Sequence, residues 1–252
     1  MTAFFIALQF LTTFPIQLKE MPTQQQNAQS LLFYPLIGLF IGLILFAVAS
    51  LLHLLPVVLL SSIILVLWIW LTGGLHLDGL ADTADAWVGG LGDKDRTLKI
   101  MKDPACGPIG VLSLIIICVM KWSALYVLLE RQLYSALLLF PVLRRLAPLF
   151  LFLTTKYVRE KGLGSSIAQF IPKTWAIIIF AVTLLATGYF VWLGLFIGII
   201  FILILMYLRY KFIQRIGGIT GDTVGASIEI TEVVSLFSFV VVMNYIQFQT
   251  FI

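Results

Sequence analysis

The chain has 252 residues, 61% of them hydrophobic and only 11% charged, with a formal net charge of +4. A soluble domain carries about 25% charged residues, so the composition and a mean hydropathy of +1.07 exclude a soluble globular protein. The basic residues are scattered over short loops rather than gathered into a patch, which excludes a nucleic-acid binder, and the two cysteines, Cys106 and Cys118, provide neither a disulfide framework nor a zinc site.

Residues 1–15 are apolar, but no basic residue precedes them and no small-residue cleavage site follows. They read as a short interfacial or re-entrant helix rather than a signal peptide. Continuous apolar runs then predict seven spans, at about 32–53, 56–74, 109–129, 133–154, 175–190, 192–208 and 233–251. A β-barrel would instead show weakly alternating segments of roughly ten residues. The expected fold is an all-α polytopic membrane protein of one domain, residues 1–252, with catalytic loops on the cytoplasmic side.

Of sixteen Lys and Arg, three fall inside these spans (Lys121, Arg144, Arg145) and Arg131 lies alone on one side. The other twelve, from Lys19 to Arg215, share the opposite side, which the positive-inside rule makes cytoplasmic. Eleven of the twelve acids lie there too, Glu130 being the exception. Polar chemistry at one membrane face argues against a pore or carrier, which needs polar groups across the whole thickness.

The first large loop, about 72–108, holds Asp78, Asp82 and Asp85 at i, i+4 and i+7, on one face of a helix. Like charges so close destabilise a bare helix, and no Lys or Arg lies among residues 73–85. A hard divalent cation, which prefers oxygen ligands, would offset them. His76, two residues before Asp78, is either a satisfied interfacial histidine or a group acting toward substrate or behind the metal. Gly89 and Gly90 should end that helix; Asp93 and Asp95 are read either as capping and charging the start of a short helix, whose Leu98, Ile100 and Met101 anchor in the interface, or as members of the site.

Arg144 and Arg145 sit near the middle of the fourth span. They are read either as a fork for a bound phosphate or as a structural pair with an acid on a neighbouring helix. Pro148 should kink that helix, and Lys121 should snorkel outward. The loop at 156–173 places basic residues beside glycines and hydroxyls, which can cradle phosphate oxygens. In the last loop Asp222, Glu229 and Glu232 share roughly one helical face behind three glycines.

Residues 72–85, TGGLHLDGLADTAD, resemble the signature of the cobalamin synthase family, the adenosylcobinamide-GDP ribazoletransferases. Four further stretches match in order: QFLTTFPI at 9–16, FYPLIG at 33–38, DRTLKIMKD at 95–103 and GGITGDTVGA at 217–226, with Gly162-Leu-Gly164 a weaker sixth. Two departures stand out: Ala86 replaces the family's usual glycine, and Pro104-Ala-Cys106 stands where the family often has Ser-Arg after Asp103. Arg96 or Lys102 is then the substitute for the missing arginine.

The resemblance implies transfer of the adenosylcobinamide-phosphate group from adenosylcobinamide-GDP to α-ribazole or its 5′-phosphate, with GMP released and Mg²⁺ required. Expected roles follow. Asp78, Asp82 and Asp85 hold Mg²⁺. Lys102, Arg144 or the loop with Gly162 and Gly164 clamps phosphate oxygens, and Asp222 or a free member of the triad, such as Asp82, takes the hydroxyl proton. His76, Arg96, Asp103, Gly162, Gly164, Gly221 and Thr223 are expected to contact substrate. The expected setting is the cytoplasmic (inner) membrane with its lipid, and the spans also allow a homo-oligomer. Two rivals remain: a CDP-alcohol phosphotransferase, whose opening residues 78–81 echo but whose later aspartates are missing, and a divalent-cation transporter.

Overall fold

The computed structural model describes residues 2–18, 20–160 and 163–249. Lys19 and Gly162, both named above, lie outside the described residues, as does Lys161. In chain order the helices are α1 (Thr2–Leu11), α2 (Gln24–Ser30), α3 (Tyr34–Leu51), α4 (Val57–Thr72), α5 (Leu75–Gly89), α6 (Lys94–Ile100), α7 (Pro108–Glu130), α8 (Ala136–Arg144), α9 (Leu146–Thr154), α10 (Leu163–Phe170), α11 (Lys173–Ala186), α12 (Val191–Ile216) and α13 (Gly221–Gln249). No strand is present among the described residues; Tyr157 and Ile219 form an isolated parallel bridge.

Among the described residues six segments are long and apolar enough to cross a membrane: Gln24–Leu51, Pro108–Glu130, Ala136–Thr154, Lys173–Phe190, Trp192–Ile216 and Gly221–Tyr245. A seventh forms only if α4 and α5 count together across an 87° bend. Gly73 and Gly74 make that bend, both left-handed at φ 62° and 68°. Two successive left-handed residues without Cβ atoms turn the chain off the end of α4. The all-α polytopic expectation holds.

The last span differs from expectation. It starts at Gly221 rather than near 233, so Glu229 and Glu232 lie inside it, buried. Hydropathy places acids outside a span because an isolated carboxylate in hydrocarbon is costly. Here two cations neutralise them. The fourth span is broken between Arg144 and Leu146. Pro148 has no N–H to reach back four residues, and its ring crowds that carbonyl, so the helix interrupts there and both arginines sit fully buried at the break.

α5 packs along α13, and α3 along α8, through glycines. A Cβ on Gly79 would lie 2.9 Å from the Asp222 carbonyl oxygen, and one on Gly38 would collide with the Pro141 carbonyl. The core between these helices is filled by Trp68, Phe140, Ile37, Ile41, Leu45 and Leu236, all essentially inaccessible.

Candidate active site

α5 buries His76, Gly79, Leu80, Ala81, Thr83 and Ala86. This face is dictated by the small and apolar residues between the acids. The opposite face carries Asp78, exposed, and Asp82 and Asp85, half-buried. The three acids thus share a helix face as the i, i+4, i+7 spacing requires, yet they do not share one task. Asp85 accepts the backbone N–H groups of Gly107 (2.7 Å) and Gly110 (2.8 Å). These are free amides at the start of α7, whose N-cap residue, Gly107, has no side chain to satisfy them. Asp85 caps a neighbouring helix, a different occupation from the expected metal ligand.

Asp222 begins α13 at the place where that helix crosses Gly79. Its backbone is held by Thr220 and Thr223, each of which uses its hydroxyl to accept the other's N–H, at 3.2 and 2.8 Å. Thr223, expected to touch substrate, is fully buried and instead completes this reciprocal cap. The bridge at Tyr157 and Ile219 pins the segment after α9 beside the start of α13, with the Val158 N–H donating to the Ile219 carbonyl and the Ile219 N–H to the Lys156 carbonyl, both 2.9 Å. That pinning delivers Arg159 to Asp222, which it pairs at 2.6 Å with both side chains about four-fifths buried. The same guanidinium reaches the Met101 carbonyl at the end of α6 (3.4 Å). Met101 is itself buried, donated to by the Thr220 hydroxyl, rather than anchored in the interface. The sequence marks Arg159 only as one basic residue among several in a loop; its partner is sixty-three positions away.

Burial first, then the neighbouring carboxylates of Asp78 and Asp222, push Asp82 up to about 6, against a smaller opposing pull from Arg159. The crowding identifies Asp78, Asp82 and Asp222 as one electrostatic cluster across α5 and α13. It is an all-oxygen donor set, the chemistry a hard cation takes. Among the described residues no three His, Cys, Asp or Glu groups close into a cage. Mg²⁺ commonly binds through one or two carboxylates together with substrate phosphates and waters, so Asp78 and Asp82 fit as the protein's share.

Arg144 lies elsewhere. It is buried and bonded to Glu232 (3.0 Å) and Glu229 (3.5 Å) of α13. Lys121 of α7 pairs the same two acids at 2.5 and 2.8 Å, and both cations lie over the Trp68 ring at 5.4 and 5.2 Å. The phosphate-fork reading of Arg144 is therefore corrected to the structural pair, and the snorkelling of Lys121 to burial. The acids they needed are those that hydropathy had placed outside the membrane. The neighbouring Arg145 donates to His76 Nε2 (3.0 Å) and the Leu11 carbonyl (3.5 Å).

Of the remaining expected residues, Asp93 caps α6 through the Arg96 N–H (2.7 Å). Arg96 and Lys102 are exposed. Asp103, also exposed, accepts the Ala105 N–H (3.0 Å) in a local turn ahead of Pro108. Gly164 faces the Tyr157 ring, where a Cβ would collide. Gly221, His76 and Gly164 line one cavity with Asp78 and Asp222. The structure thus brings together Asp78, Asp82, Asp222, Gly164, Gly221 and His76, adds Arg159, and leaves Arg144 in the core.

The family model described as cobalamin-5-phosphate synthase matches residues 3–240. An adenosylcobinamide-GDP ribazoletransferase of Acinetobacter baumannii is 61% identical over 246 residues, covering 98% of this chain and 100% of the relative. Enzymes of the same name from Stutzerimonas stutzeri (48% identical, 90% of this chain and 93% of the relative) and Pseudomonas fluorescens (46%, 92% and 96%) are also similar. No solved structure matches the chain. With a match over nearly its whole length and a site built on residues 72–85 and 217–226, the chain belongs to the cobalamin-5-phosphate synthase family.

Proposed function

We propose that this protein transfers the adenosylcobinamide-phosphate group from adenosylcobinamide-GDP to a hydroxyl of α-ribazole or its 5′-phosphate, releasing GMP. The observation that carries the reading is the cluster of Asp78, Asp82 and Asp222 with Arg159, formed where α5 crosses α13. In such a transfer the acceptor oxygen forms a bond to phosphorus while the bond to the departing GMP oxygen breaks, so the protein's task is positioning and charge stabilisation. Asp78 and Asp82 would hold Mg²⁺, which when bound neutralises charge on the diphosphate. Arg159 already lies beside Asp222 and can turn its free guanidinium edge to phosphate oxygens. Asp222, oriented by Arg159, takes the acceptor hydroxyl proton. The one-sided distribution of basic residues supports a cytoplasmic position for this face in an inner membrane.

The transporter reading loses its main support here. Among the described residues the acids fully buried within a span, Glu229 and Glu232, are consumed by Lys121 and Arg144. The test is GMP release by detergent-purified protein given both substrates with and without Mg²⁺. Metal-dependent release coupled to a new cobamide is expected; release from a CDP-alcohol but not from the GDP-activated corrinoid would overturn the reading.

A further inference from the structure

Beside the carboxylates, α5, α13 and α9 enclose a cavity of about 250 Å³. Two stacked aromatic pairs contribute to its wall: Phe10 with Tyr34 (6.4 Å between centroids, 28° between planes) and Phe152 with Tyr157 (5.8 Å, 25°). Asp78 and Asp222 belong to the same lining. The volume lies below the ~300–1,000 Å³ of pockets for drug-sized ligands, far too small for a corrin ring. It suits one flat bicyclic base.

The polar content of the cavity selects further. His76 lines it, is 4% exposed, and its Nδ1 has no hydrogen-bond partner among the described residues. Arginine has donors only, so in the contact with Arg145 the His76 Nε2 must accept. The ring proton therefore sits on Nδ1, leaving one buried donor without an acceptor on a residue of the aromatic-walled cavity. An unmatched buried donor is costly, and so is a buried base whose own polar groups find no partners. Guanine brings several such groups. The base of α-ribazole, a dimethylbenzimidazole, brings one: one ring nitrogen carries the ribose, and the other is a lone acceptor.

We propose that this cavity receives the apolar bicyclic base of the acceptor nucleoside, with His76 Nδ1–H donating to its free ring nitrogen and the ribose directed toward Asp78 and Asp222. The assignment rests on the ribazoletransferase reading. It makes His76, Phe152 and Tyr157 determinants of which base is accepted, and it places the guanine of the donor outside this cavity.

The test is a calorimetric titration of the full chain in detergent with α-ribazole and with its indole analogue, in which C–H replaces the free ring nitrogen. Binding at least tenfold weaker for the analogue is expected, and His76→Leu should bind the two alike. Tyr157→Leu should raise the KM for α-ribazole at least fivefold while leaving the KM for the GDP-activated donor unchanged; a purely structural role would move both. The wild-type comparison stands alone if a variant does not fold. Equal binding of the two nucleosides by an enzyme that turns over would overturn the assignment and spare the reaction. Absence of GMP release with any acceptor would overturn the reaction, and the assignment with it.

Discussion

Replacing Glu232 by Gln tests the buried charge cluster most directly. Glu232 accepts from Lys121 at 2.5 Å and from Arg144 at 3.0 Å, whereas Glu229 holds Lys121 at 2.8 Å and Arg144 only at 3.5 Å. All four side chains are at most 3% exposed. Losing one partner leaves a cation uncompensated in a region where water cannot screen it, which costs about 3–5 kcal/mol. Glu232→Gln should fall at the upper end and Glu229→Gln at the lower, because Glu232 makes the two shorter contacts. For a chain of this size each kcal/mol lowers Tm by about 2–4 °C, so Glu232→Gln should lose roughly 10–20 °C in detergent melts. The double variant Lys121→Met, Glu232→Gln removes charge of both signs and should recover much of that loss, a coupling read by a double-mutant cycle. A change for Glu232→Gln under about 1 kcal/mol, or a double variant as unstable as the two singles summed, would refute the argument.

Asp82→Asn should leave a folded protein whose turnover falls on the order of a thousandfold, because a metal-bearing oxygen is lost; assays at saturating Mg²⁺ check it. Asp82 also has a pH signature. Its affinity for protons is raised from 3.8 to about 6 in the folded protein, so it contributes stability that is complete below pH 3.8 and lost as the pH rises through 6. Metal-free protein should therefore melt higher at pH 5 than at pH 7.5 by an increment that Asp82→Asn removes, and apparent Mg²⁺ affinity should weaken below pH 6. Arg159→Ala should lower kcat on the order of a hundredfold with little effect on Tm, through loss of Asp222 orientation and phosphate contact; an unchanged kcat would remove Arg159 from the site. Gly79→Ala drives a Cβ to 2.9 Å from the Asp222 carbonyl and should cost about 1–3 kcal/mol by overpacking, together with activity, since it separates the two halves of the cluster.

The sequence by itself determined the membrane class, the approximate spans, the helix carrying Asp78, Asp82 and Asp85 on one face, and the family. Each follows from local periodicity, hydropathy or residue order, which need only near neighbours. The tertiary structure decided what each charge does. Asp85 turned to the free amides of α7, Arg159 met Asp222 from a distant loop, and Arg144 and Lys121 closed on Glu229 and Glu232. Hydropathy placed the last span's start twelve residues too late because it scores each acid alone. The free energy of a buried carboxylate depends on the cation facing it, and only the packing of α7, α8 and α13 brings those cations there.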